Sequence, residues 1–255
     1  MKLIKLNSTA LEVSSAHLSR WAAPFAAIAL AATLGCNSST VTPATRPPAG
    51  SATGEKGSTS APSTPAVKSV PPAMAQMGEY GENIYDAAKA GKWKEAESKL
   101  ASLKTTVQSS TQDISGAPNE RGQLDATITA LDHSVPHHDK SATMRDANQV
   151  TFLAAELTAP YHPKIPADVA RLDFDGRELE IWSAAHNIPK LKHTAEDIHQ
   201  TWDQVRPQVE AHNGQNAAKG FDALVTKVDH AHTAAQYHAV ANPLLDQVDE
   251  LETVF

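Results

Sequence analysis

The chain repeats a segment of its own sequence 95 positions later. The segment from Val70 to Ala87 corresponds to the one from Ile165 to Trp182. Each segment has a proline near its start and a glycine further along. Apolar residues recur around them at spacings of four and three, the pattern of one buried face of an α-helix. The corresponding residues are Val70, Pro71, Met74, Met77, Gly81 and Ile84 in the first copy and Ile165, Pro166, Val169, Leu172, Gly176 and Leu179 in the second. This duplication constrains the fold more than any other feature.

Three further helices are expected in each copy, because matching stretches follow in the same order. These stretches are 93–107 and 188–202, then 124–133 and 221–230, then Ala147-Asn148 and Ala241-Asn242. Aromatic residues make up only 5% of the chain, which favours helices over a sheet. We therefore predict an all-α fold, a duplicated four-helix-bundle-like unit with about eight helices in total, after a disordered tether.

The composition divides the chain into five segments. Residues 1–35 form a predicted signal peptide, and residues 36–69 are rich in Ser, Thr, Pro and Ala and predict a disordered tether. Residues 70–157 form the first helical repeat, residues 158–164 a proline-containing joint, and residues 165–255 the second repeat. The pattern leaves open whether the repeats are two separate bundles or one interleaved body.

The N-terminal segment has the features of an export signal. An uncharged run from Trp21 to Gly35 follows a basic stretch and is too short to span a membrane comfortably. It closes on Thr33-Leu34-Gly35-Cys36, which resembles the lipobox of bacterial lipoproteins. The resemblance implies cleavage before Cys36 and acylation of this cysteine, which would bind the protein to the lipid bilayer. The alternative is an ordinary secretory signal with an incidental cysteine.

The same resemblance implies a location in the bacterial cell envelope, with the folded part facing the periplasm. Asn37 follows the cysteine, where an aspartate often retains lipoproteins at the inner membrane, so an outer-membrane location is expected. The formal net charge is −7, and acidic residues outnumber basic ones more strongly beyond Pro71. We therefore expect no nucleic-acid partner, since phosphate contacts need clustered Lys and Arg.

Histidine is the enriched reactive residue, with 12 in the chain. Six lie near the ends of matching helices: His133, His137, His138, His230, His232 and His238. Imidazole is a common ligand of transition metals, so these residues are candidate ligands for Cu, Zn or Ni. The simpler interpretation is a set of surface histidines, two of them stabilised at helix C-termini by the helix dipole.

Two asparagines and one charged run complete the candidates. Asn148 and Asn242 match between the copies and predict either buried hydrogen bonds that set helix register or ligand contacts. A charged run lies inside the second copy's first helix: Asp173, Asp175, Arg177, Glu178 and Glu180. Such runs are typical of a solvated helix face, and the charges differ between the copies whereas the apolar stripe recurs. We therefore interpret the run as a solvated face and not as an active segment.

No catalytic constellation is recognised in the sequence, and no cofactor is expected. The function predicted first is a non-enzymatic binding or scaffolding module, anchored to the membrane, for an unidentified protein or small molecule. The alternative is a periplasmic protein that binds or buffers transition metals through its histidines. If a ligand binds, we expect it at the seam between the two copies.

Overall fold

The structure is a computed structural model that describes residues 69–255. This part of the chain contains eight α-helices and no strand. The helices are α1 (Pro72–Lys89), α2 (Trp93–Ser109), α3 (Pro118–Ser134), α4 (Lys140–Thr158), α5 (Ala167–Ala184), α6 (Ile188–Ala211), α7 (Gln215–Asp229) and α8 (Ala234–Glu252). The predicted signal peptide, Cys36 and nearly all of the predicted tether lie outside the described residues.

The duplication predicted from the sequence is confirmed in the helices. Helices α1 and α5 each have 18 residues, and α4 and α8 each have 19. Pro71 and Pro166 each occupy the N-cap position of the first helix in their copy, where the missing N–H removes no helical hydrogen bond. In both copies consecutive helices pack on one another, and the fourth helix returns to pack on the first.

Each copy has its own apolar core, and the two cores meet at α5. One cluster gathers the stripes of α1 to α4, and the other gathers those of α5 to α8. Ile181 of α5 belongs to the first cluster, and the half-buried Trp182 packs against both. Helix α4 also packs directly on α5. The fold is therefore two four-helix units joined along a seam in which α5 has neighbours on several sides.

The recurring glycine marks close approach between the first and fourth helices of each copy. A Cβ atom at Gly81 would lie 2.6 Å from Thr151 Oγ1 and 2.9 Å from the Ala147 carbonyl oxygen of α4. A Cβ at Gly176 would lie 2.7 Å from Leu245 Cδ2 of α8. The glycines thus allow the helices to approach more closely than an alanine would permit.

Helix α8 contains a proline, Pro243, in its interior. It runs unbroken through Pro243, and its start is set by a capping box between Thr233 and Gln236. Pro243 is exposed, so the carbonyl left without its helical donor lies on a solvated side of the helix.

Candidate functional site

Helix α5 is the element that positions the candidate site. Its apolar stripe, which includes Leu172 and Leu179, joins the second core. Two other sides of the helix carry charged residues, one toward α1 and one toward α4 and α6. This arrangement corrects the prediction that the charged run is a solvated face. Asp175 is only 5% exposed, and Asp173, Arg177, Glu178 and Glu180 are all partly buried.

A pocket of about 310 Å³ opens between α4, α5 and α6, at the seam between the two copies. We call it the seam pocket. It is lined by Arg145, Gln149, Phe174, Asp175, Glu178, Trp182, Lys190, His193, Thr194 and Asp197. Its volume lies at the lower end of the range for small-molecule sites. Since the lining comes from three helices in both copies, neither copy alone builds the pocket.

Asp175 is the most buried ionisable group of the seam pocket. Within residues 69–255 its carboxyl group makes no hydrogen bond and no ion pair. Burial raises its pKa well above the usual range, and the nearby Asp197 and Glu178 raise it further, whereas Arg171 lowers it. Burying a carboxyl group without a partner costs free energy, which makes this position unusual for a purely structural residue.

Glu178 and Trp182 form the connected part of the pocket wall. The Trp182 indole Nε1 and Asn148 Nδ2 both donate to the Glu178 carboxylate, the latter over 3.4 Å. Burial raises the pKa of Glu178 even though these two hydrogen bonds lower it. Phe174 supplies a second aromatic side chain to the wall. The acidic groups and aromatic rings are thus held on packed helices.

The basic side chains of the seam pocket lie at its mouth. Arg145 and Lys190 are exposed, in contrast to Asp175. Lys190 Nζ lies 5.7 Å from the centre of the Trp182 ring, and Arg145 Nε lies 3.5 Å from the Asp146 carboxylate. The pocket therefore has an acidic interior, and its rim carries Arg145 and Lys190 together with the exposed side chain of Asp197.

A second group of buried charges lies where α5 faces α1. Arg177 Nη2 lies 3.1 Å from Asp173 Oδ2 and 3.8 Å from Glu82 Oε1. Burial raises the pKa of Glu82 to about 8, Arg177 opposes this rise, and nearby Asp173, Glu252 and Asp86 add to it. Burial also raises the pKa of Glu252 to about 8. These groups lie at the seam between the two copies, on α1, α5 and α8.

The three histidines of the first copy lie on the surface around the turn between α3 and α4. His133 and His137 stack on each other with ring centres 4.5 Å apart, and His137 Nδ1 lies 2.7 Å from the His133 carbonyl oxygen. His138 stacks instead on Trp93 at 4.7 Å. The side chains are therefore engaged with each other, with the backbone and with an indole ring.

The histidines of the second copy also do not converge. His230 Nδ1 lies 2.7 Å from the Thr226 carbonyl oxygen, and His238 Nδ1 lies 3.3 Å from Ser183 Oγ. His232 lines a larger surface depression of about 420 Å³, whose polar side chains are mostly exposed. Among residues 69–255, no three His, Cys, Asp or Glu side chains come together in an arrangement that could hold a metal ion.

An aspartate precedes both His133 and His230, and the structure explains why it recurs in the two copies. Lys104 of α2 donates to Asp132 at 2.7 Å, and His199 of α6 lies 3.1 Å from Asp229 in the same place of the second copy. Both pairs join the second helix of a copy to its third. The recurrence of aspartate therefore reflects helix pairing.

The two matched asparagines have different environments. Asn148 is fully buried on α4, and its Nδ2 donates to the Phe174 carbonyl oxygen of α5 over 3.0 Å. Asn242 is exposed on α8. Thus the matched pair does not share one role, and only Asn148 borders the seam pocket through its contact with Glu178.

Sequence reasoning did not single out the seam pocket residues on α4 and α6, because no periodicity reports which helix faces α5. One signal was present in the sequence. Glu82 and Arg177 are equivalent positions, one acidic and one basic, and such a pair is compatible with contact between the copies.

None of the eight helices described here combines the length and apolar composition that crossing a membrane requires. Comparison with protein-family models, with curated proteins and with solved structures gives no match.

Proposed function

We propose that this protein is a non-enzymatic binding module, held at the bacterial envelope membrane by acylated Cys36, and that the seam pocket is its binding site. The observation that carries the proposal is Asp175, a buried carboxyl group that lines the pocket without a partner among residues 69–255. A protein gains no stability from such a group. Residues that break the rules of packing are expected mainly at functional sites.

The construction of the seam pocket supports recognition of a small molecule. Its walls carry two aromatic side chains, Phe174 and Trp182, among eight polar or charged ones, which suits a small polar ligand more than an apolar one. The pocket is built on α-helices that pack against both cores, so its shape is set before a ligand arrives. Thr194 on the pocket wall is itself fixed, since its hydroxyl donates to the Lys190 carbonyl oxygen at 3.1 Å.

The location in this proposal is supported by the lipobox resemblance at Cys36 and by the composition of residues 36–69. Acyl chains hold a protein on a membrane in proportion to the number of buried methylene groups. The polar segment that follows would let the folded part stand away from the bilayer. We place the protein on the periplasmic side, at the outer membrane in preference to the inner one.

Binding is tested by thermal shift with a chemically diverse small-molecule library, on the wild type, Asp175→Asn and Asp203→Asn. Asp203 is the matched control because it is exposed on α6 and does not line the pocket. We expect at least one compound class to stabilise the wild type and the control by several degrees, as excess ligand does, and Asp175→Asn much less. If no compound acts through Asp175, the proposal is wrong.

Anchoring is tested separately with Cys36→Ser. We expect the wild type to fractionate with membranes and to incorporate labelled fatty acid, and the variant to lose both properties. Unchanged membrane fractionation of Cys36→Ser would overturn the lipid anchor without affecting the binding site.

A further inference from the structure

The charges of the seam pocket are arranged by depth, and this order identifies the class of ligand. We propose that the pocket binds a small zwitterion, with its protonated amine against Asp175 in the interior and its anionic group between Arg145 and Lys190 at the mouth. The inference rests on the proposed function, whose binding site it makes specific. It covers free amino acids and the zwitterionic head groups of lipids, which share this chemistry.

The charges in the interior of the seam pocket favour binding of a cation. Two carboxyl groups lie there, on Asp175 and Glu178, whereas the Asp197 side chain is 43% exposed. Glu178 already accepts hydrogen bonds from Trp182 and Asn148, and His193 lies 3.6 Å from Asp197. Asp175 is the group left without a partner among the described residues. An ammonium group beside it would form a charge-assisted hydrogen bond, the strongest kind available to a carboxylate.

The aromatic wall suits the same group. Phe174 and Trp182 are half-buried on the sides of the pocket. Aromatic faces attract cations, and their area also covers the apolar body of a ligand. Lys190 Nζ already lies 5.7 Å above the Trp182 ring, which shows that this face accepts a positive charge.

The basic side chains at the mouth of the seam pocket favour binding of an anion. Lys190 is exposed and makes no ion pair within residues 69–255, and Arg145 has only an adjacent aspartate, at 3.5 Å. A carboxylate or phosphate at the rim would satisfy both cations. The pocket volume of about 310 Å³ fits a molecule of amino-acid size.

Binding of an amine should act on the ionisation of Asp175. Burial raises the pKa of Asp175, with Asp197, Glu178 and Arg171 as the other charged groups that act on it. Arg145 on α4, and Lys190 and His193 on α6, also line the pocket. An ammonium partner favours the ionised form of a carboxyl group, so binding of an amine should lower the pKa of Asp175. A proton exchange on binding that disappears when Asp175 is replaced would separate recognition by Asp175 from nonspecific binding.

The test is isothermal titration calorimetry with matched probes. L-Phenylalanine carries both charges, 2-phenylethylamine lacks the carboxylate, and N-acetyl-L-phenylalanine lacks the protonated amine. We expect L-phenylalanine to bind, 2-phenylethylamine to bind about tenfold more weakly, and N-acetyl-L-phenylalanine to bind at least about a hundredfold more weakly. O-Phosphoethanolamine is the head-group probe, and tighter binding of this probe than of L-phenylalanine would assign the ligand to a lipid source.

Two variants assign the two ends of the ligand. Asp175→Asn should lower the affinity for L-phenylalanine at least about tenfold and abolish any proton exchange on binding, measured in buffers of different ionisation enthalpy. Lys190→Ala should weaken binding of L-phenylalanine and leave 2-phenylethylamine unchanged. Asp203→Asn is the control for both variants, and circular dichroism confirms that each is folded.

The failure of this inference is distinct from the failure of the proposed function. If N-acetyl-L-phenylalanine binds as tightly as L-phenylalanine, or if Asp175→Asn retains full affinity, the zwitterion is the wrong class. If neutral compounds from the library bind through Asp175 whereas neither zwitterion does, the proposed binding function is retained and only the proposed ligand class is wrong. If neither the library nor these probes bind saturably, both are wrong.

Discussion

Glu82 and Arg177 occupy equivalent positions in the two copies and meet each other at the seam, with Arg177 Nη2 3.8 Å from Glu82 Oε1. Tyr85 and Glu180 are also equivalent, 95 residues apart, and the Tyr85 hydroxyl donates to Glu180 Oε2 at 3.0 Å. The copies are therefore joined by residues that have diverged from each other at the same places. Arg177 and Glu180 of the second copy each contact a polar side chain at the corresponding position of the first.

The pH dependence of stability should report on Glu82. Its pKa is raised from 4.5 to about 8, so between these pH values the unfolded state loses a proton that the folded state keeps. The free energy of unfolding therefore falls as the pH rises through this interval. Glu252, whose pKa is also about 8, acts in the same direction from α8.

We expect Glu82→Gln to flatten this dependence and to raise the free energy of unfolding at pH 8 by about 1–3 kcal/mol, since one pKa unit corresponds to about 1.4 kcal/mol. Urea unfolding at pH 4.5, 6 and 8 measures the change. Glu97→Gln is the control, because Glu97 is exposed on α2. A variant that keeps the wild-type slope would contradict the buried, protonated state of Glu82.

The two recurring glycines, Gly81 and Gly176, should differ in how well they tolerate substitution by alanine. At Gly81 the added Cβ meets the backbone of α4, at the Ala147 carbonyl oxygen and the Thr151 nitrogen. At Gly176 it meets the flexible end of Leu245. We expect Gly81→Ala to lower the free energy of unfolding by about 2–4 kcal/mol and Gly176→Ala by about 1 kcal/mol or less. Chemical unfolding measures both variants. Equal losses of the free energy of unfolding would contradict the expected difference between the two helix contacts.

The matched asparagines provide a second pair of variants. Asn148→Ala removes the donor to the Phe174 carbonyl oxygen at the buried contact between α4 and α5, and we expect a loss of about 1–3 kcal/mol. Asn242→Ala changes an exposed residue and should stay within about 0.5 kcal/mol of the wild type. Thermal unfolding measures both variants. If Asn242→Ala loses as much stability as Asn148→Ala, the conclusion that the Asn148 hydrogen bond sets the register of α4 and α5 is wrong.

The metal hypothesis leads to a prediction of its own. No three suitable side chains converge among residues 69–255, so we expect Zn²⁺, Cu²⁺ and Ni²⁺ to leave the stability of the purified protein unchanged. A site present at a hundred times its Kd would instead add about 2.7 kcal/mol. A metal-dependent gain that disappears in His133→Ala with His230→Ala would establish the matched histidines as ligands.

Much of the fold follows from the sequence because helix periodicity is local. The stripe that begins at Val70 and recurs at Ile165 predicts which side of each helix is buried, and Met74, Met77, Leu172 and Leu179 are all inside. Glycine at the same place in both stripes predicts close helix contact, which Gly81 and Gly176 make. These predictions need only the 3.6-residue repeat and the preference of apolar side chains for the interior.

The candidate site depended on information that no local pattern contains. By itself the sequence determined the duplication, the eight helices and their apolar faces, because each is written in spacings of three and four residues. Only the tertiary structure decided that α5 has neighbours on its charged sides as well, which turns the run around Asp175 from an expected solvated face into the wall of a pocket. The physical reason is that periodicity reports which residues share a helix face, whereas burial depends on which other helices cover that face.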